Sequence, residues 1–170
     1  MITITKEKTI TRDFLIVFLS SLLIAFIGRL EIPLPFTPVP VSFRAQLILF
    51  LSLSLGSRRA ILATALFLAQ GAIGFPVFAG GVTSLMGPNA GYIIGYLFGA
   101  FITGSIYEKT GKGVFAVLMG TLAIYACGFS VLSTYVGFSN AFLIGIAPFL
   151  LGDLAKSVVG FRIWNCLRRR

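Results

Sequence analysis

Six apolar runs, at about 13–30, 44–55, 60–79, 91–107, 113–133 and 141–163, follow one another with only short gaps between them. That pattern decides the fold class, because a soluble domain has nowhere to hide so much apolar surface. Only 11% of the residues are charged against 57% hydrophobic, and the mean hydropathy is +0.98, whereas about 25% of the residues of an ordinary soluble domain are charged. A hydrocarbon core of about 30 Å takes about 20 apolar residues per helical crossing. Six crossings with short loops therefore use nearly all of the 170 residues. The expectation is an all-α integral membrane protein: a single domain over 1–170, built as a bundle of six transmembrane helices with no room for a separate soluble unit. The run at 44–55 is the shortest, and a run of about 10–14 residues also suits an interfacial or re-entrant segment.

The basic residues give the bundle a direction. Lys6, Lys8 and Arg12 precede the first run, Arg58 and Arg59 divide the second from the third, Lys109 and Lys112 divide the fourth from the fifth, and Arg168, Arg169 and Arg170 close the chain. With six crossings all four groups fall on one side, which the positive-inside preference makes the cytoplasmic one. Both termini are then cytoplasmic and the protein is multi-pass in the cytoplasmic (inner) membrane, surrounded by lipid. The segments 31–40, 75–89 and 134–140 face outward. The same scattering of charge argues against nucleic acid as a partner, in spite of a formal net charge of +9. The first run is too long for a signal-peptide core, and Arg29-Leu30-Glu31-Ile32-Pro33 follows it in place of a small-residue cleavage site, so it reads as a retained span. Two cysteines, Cys127 and Cys166, and no histidine make neither a disulfide framework nor a metal site. No cofactor is expected.

Irregular segments lie between the runs. Glu31 to Pro40 carries four of the seven prolines and must be extended and stiff. Gly74-Phe75-Pro76-Val77-Phe78-Ala79-Gly80-Gly81 and Gly87-Pro88-Asn89-Ala90-Gly91-Tyr92 hold too many turn formers for regular helix, yet stay apolar. Irregular backbone at membrane depth is tolerated where it is buried in protein or lines a cavity, so both are candidates for a pocket wall or lid. Gly91, Gly95 and Gly99 repeat every four residues and let a neighbouring helix approach. Ser21, Ala25 and Gly28 form a looser small-residue stripe, suited either to internal packing or to another subunit.

Asp153 and Lys156 stand out within the last run. Three residues apart, they lie on one helix face, and a charge at membrane depth costs about 2.5–3.5 kcal/mol even on the lenient insertion scale. They need a partner or a wet cavity, and they form either a self-neutralising structural pair or part of a ligand path. Pro148 suits the first turn of a helix, so the last helix could begin near Phe149, with Asp153 in its first two turns. An aspartate there also matches the positive end of the helix dipole. No G-x-x-x-x-G-K-[ST], H-E-x-x-H or G-x-S-x-G motif occurs, so catalytic residues are not assigned and the chain is not expected to be an enzyme.

Read in order, Pro35-Phe36-Thr37-Pro38-Val39-Pro40-Val41, Gly74 to Gly81, Gly87 to Tyr92, and Pro148-Phe149-Leu150-Leu151-Gly152-Asp153-Leu154-Ala155-Lys156 resemble the BioY family, the biotin-binding S components of energy-coupling factor (ECF) transporters. The resemblance implies a six-helix S-component fold and high-affinity capture of biotin from outside. It also implies a partner module of one transmembrane coupling protein with two ATPases. By the same resemblance Asp153 and Lys156 contact the biotin rings, and the ureido ring does present N–H donors and a carbonyl acceptor that a carboxylate and an ammonium satisfy. Phe36, Phe78 and Tyr92 would cover the apolar parts of the ligand. Thr37, Gly80, Gly81 and Asn89 complete the expected ligand-binding set, and Ser21 and Ala25 are the expected partner interface, with Ser21 standing where S components often carry alanine. The family commonly has threonine and glycine at the positions of Asn89 and Ala90. Two other readings are an S component for riboflavin or thiamin and a small channel-like protein whose glycine-rich segment lines a pore.

Overall fold

The structure is a computed structural model that describes residues 2–35, 37–78 and 80–168. Its helices are α1 (Ile2–Ile27), α2 (Arg44–Leu55), α3 (Ser57–Ala72), α4 (Ala90–Thr110), α5 (Gly113–Val136), α6 (Phe138–Gly145) and α7 (Ala147–Arg168). Between α1 and α2 lie two strands, β1 (Glu31–Leu34) and β2 (Thr37–Ser42), and a single 3-10 turn at Gly81–Leu85 precedes α4. Among the described residues, three stretches are long and apolar enough to cross a membrane, Ile10–Ile27, α4 and α5. At a rise of about 1.5 Å per residue, α2 extends only about 18 Å, well short of a hydrocarbon core. Large apolar side chains stand outward along these helices, among them Phe14, Leu19 and Phe26 on α1, Phe98 and Phe101 on α4, and Leu118 and Leu122 on α5. Lipid solvates such a surface, whereas water would not.

Helices α4 and α5 form the tightest pairing, and glycine makes it possible. Gly91, Gly95 and Gly99 face Cys127, Ile124 and Gly120 so closely that a Cβ on Gly91 would run into the Cys127 carbonyl oxygen. Gly111, at φ 66°, ends α4 in the left-handed conformation that a non-glycine residue adopts at a cost, and α5 starts two residues later. Gly91→Ala should therefore destabilise the fold by about 1–3 kcal/mol, the usual range for overpacking, and lower the thermal melting point in detergent by several degrees. An unchanged melting point would contradict the close approach.

The Pro-rich segment is extended, as its composition requires, and is also paired. β1 and β2 run antiparallel, with Glu31 opposite Ser42, Ile32 opposite Val41 and Leu34 opposite Thr37. Proline donates nothing to a ladder and is tolerated where no further strand must pair, which a two-stranded hairpin satisfies. The chain thus adds a small β element to its helices.

Other boundaries differ from the apolar runs. The third run, read as 60–79, is helical only to Ala72, and the chain then turns through Gly74 at φ 98° and Pro76. The last run, read as 141–163, is two helices separated at Ile146. α7 begins at Ala147 with Pro148 in its first turn, where the missing N–H costs nothing. The segment 134–140, read as an outward loop, is helical on either side of Gly137.

Ser21 and Ala25 face inward. Ser21 is 0% exposed, donating to the Phe18 carbonyl at 2.8 Å and accepting from Gln70 Nε2 of α3 at 3.2 Å, and Ala25 is also buried. In this conformation both side chains of the expected partner interface are turned into the bundle, and Ser21 is tied to α3.

Candidate ligand site

The charges of the last run open into a cavity. Asp153 and Lys156 project from α7, and Lys156 Nζ donates to Asp153 Oδ1 at 2.7 Å and to the Ser42 carbonyl of β2 at 3.1 Å. From α5, the Tyr125 hydroxyl donates to Asp153 Oδ2 at 2.5 Å. From α2, Gln46 Nε2 reaches the Asp153 carbonyl at 3.5 Å while its Oε1 accepts from Ser157 Oγ at 3.3 Å. Both charged side chains are largely but incompletely enclosed, at 15% and 13% exposure.

Around the pair, Val39, Pro40, Ser42, Ala45, Leu49, Tyr92, Tyr96, Thr121, Ile124 and Phe149 complete the walls of the cavity. The mixture of aromatic walls with a few convergent polar groups is characteristic of small-molecule sites. Five residues, Val39, Pro40, Ser42, Tyr92 and Tyr96, are shared with an adjoining chamber that is also lined by Glu31, Arg44, Phe78, Ser84, Asn89 and Ile93.

Arg44 anchors that second chamber. Only 2% exposed, it pairs with Glu31, donates to the Gly28 carbonyl at 2.5 Å and lies 5.4 Å, 5.6 Å and 6.0 Å from the ring centres of Phe67, Phe78 and Tyr96. Burial raises the Glu31 carboxyl above its ordinary pKa, with the Arg44 charge opposing the shift. Asn89 Nδ2 donates to the Pro38 carbonyl at 2.9 Å and so ties the start of α4 to β2.

Of the residues singled out in the sequence, Asp153, Lys156 and Tyr92 meet in the first cavity, and Phe78, Asn89 and Tyr92 line the second. Thr37 is buried in the hairpin, where its Oγ1 accepts from the Val39 N–H at 3.2 Å; it lines neither chamber. Gly80 and Gly81 lie outside both, at the start of the 3-10 turn. Phe36 lies outside the described residues. Sequence reasoning missed Tyr125, Tyr96, Gln46, Arg44 and Glu31. Tyr96 had a signal, since it stands four residues after Tyr92 and shares its helix face.

These features define a multi-pass helical membrane protein with an internal, ion-paired cavity walled on one side by a β-hairpin. Comparison with known proteins makes the assignment specific. The BioY family model matches residues 3–170, and the chain belongs to that family. It is 34% identical over 167 residues to a biotin transporter of Rhizobium etli, covering 88% of this chain and 89% of the relative. It is 35% identical over 133 residues to a probable biotin transporter of Pyrococcus horikoshii, covering 75% and 79%. The crystal structure of the S-component for biotin from an ECF-type ABC transporter superposes with a TM-score of 0.83 at 26% identity, over 96% of this chain and 94% of that one.

Proposed function

We propose that this chain is the biotin-capturing subunit of an uptake system. The observation that carries the reading is the Asp153–Lys156 pair, held side by side in a cavity with aromatic walls. An acceptor beside a donor matches one edge of a cyclic urea, where an N–H adjoins the carbonyl oxygen, and the aromatic walls suit the thioether ring and aliphatic chain. The relatives named as biotin transporters and the structural likeness to a biotin S-component support the same ligand.

In this reading the chain is one domain that crosses the cytoplasmic membrane six times with both termini inside. It binds biotin from the outer side and catalyses no reaction. Movement of the ligand is driven by an ECF module of one transmembrane coupling protein and two ATPases. Labelled biotin bound to membranes carrying this chain should be displaced by unlabelled biotin and not by riboflavin or thiamin. Displacement by either of those vitamins at comparable concentration would overturn the choice of ligand, and ligand-independent ion conductance in a planar bilayer would favour a channel instead.

A further inference from the structure

The Asp153 carboxylate is held from two directions. Lys156, one turn away on the same helix, takes Oδ1, and Tyr125 takes Oδ2 from across the bundle on α5. A carboxylate has about four acceptor positions, so the two bonds leave room for a ligand while removing the freedom of the group to rotate. On the far side of the Tyr125–Asp153 bond, α5 and α7 are separated by an apolar groove of about 460 Å³, lined by Val114, Leu118, Leu150 and Phe161. Val114, Leu118 and Leu150 stand exposed along it. Thr121, Tyr125 and Asp153 border both the groove and the cavity, so the hydrogen bond lies on the partition between them.

We propose that Tyr125 is a positioning and specificity-determining residue of this site: its hydroxyl fixes the Asp153 carboxylate so that the remaining acceptor positions meet an N–H donor of the ligand. The proposal rests on the assignment of biotin to the cavity. Tyr125 acts through Asp153, and its contribution is confined to ligands that bring the N–H. A rigid ring suits the role, because few torsions separate its hydroxyl from the α5 backbone.

The test compares biotin with its two cyclic-carbamate analogues, in each of which one ureido N–H is replaced by a ring oxygen, in equilibrium binding to the purified full chain in detergent. Wild-type protein should prefer biotin to the analogue lacking the N–H that meets Asp153. Tyr125→Phe should reduce that preference about tenfold, the weight of a hydrogen bond to a charged group, chiefly by weakening biotin. Equal loss for both ligands would mean that Tyr125 serves packing alone and would overturn the proposal. If the Phe variant fails to fold, Tyr125→Gln carries the test: it keeps a donor and should hold the preference within about threefold of wild type, and a larger loss counts against the proposal. Wild-type protein that binds none of the three ligands would overturn the biotin assignment itself.

Discussion

Asp153→Asn is expected to lower the affinity for biotin by about 100-fold or more. A ligand N–H bonded to an anionic acceptor is worth about 1.5–3 kcal/mol, which the amide forfeits and, with its own N–H, opposes, and each 1.4 kcal/mol is about tenfold in affinity. Three groups lose their partner at once. Lys156 Nζ keeps the Ser42 carbonyl but loses the carboxylate, the Tyr125 hydroxyl faces an amide in place of an anion, and the ligand N–H can meet a second donor where it met an acceptor. The substitution hardly changes shape, so the folded state should survive. Isothermal titration alongside a thermal melt separates the two effects; near-native binding by the variant would remove Asp153 from the site.

The second large effect concerns the fold beside the site. Arg44→Met should destabilise the protein by about 3–5 kcal/mol, since it strands a buried Glu31. The guanidinium also holds the end of α1 through Gly28 and lies among the rings of Phe67, Phe78 and Tyr96, so α1, β1, α3 and α4 all lose a contact. Adding Glu31→Gln to the same chain should recover much of the loss, as the neutral amide no longer needs a counter-charge. A melt of the three variants in detergent decides this. If the single Arg44 variant melts with wild type, or the double variant is no better than the single, the ion pair is not what couples the hairpin to the bundle.

How much of this was legible in the sequence depends on the physics behind each feature. The crossings at α1, α4 and α5 could be read because their apolar runs are long and continuous, and only lipid satisfies a surface of that kind. Hydropathy is blind to the break at Ile146, since Gly145, Ile146 and Ala147 are as apolar as the helices on either side, and only Pro148 signals a helix start close by. The Pro-rich segment announced an extended chain, but its pairing depends on tertiary ties from Arg44 to Glu31 and from Asn89 to Pro38. Small residues at 21 and 25 announced a close approach without saying to whom, and Gln70 of α3 supplies the answer.

The site divides in the same way. Asp153 and Lys156 were visible because charge is costly at membrane depth and must be explained. Tyr125 and Gln46 were not, because a neutral polar side chain in an apolar run looks like packing until its partner is seen. Gly80 and Gly81, named as part of a turn-rich apolar segment that reads as a pocket wall, lie outside the cavity, because a glycine-rich turn signals irregular backbone and carries no information about which way a pocket faces.

Direct titration of biotin into the purified wild-type chain tests, without any partner protein, whether one cavity takes this one ligand. The expected result is saturable binding at one biotin per chain, with riboflavin and thiamin failing to compete. A folded, monodisperse preparation that takes up no biotin would contradict it.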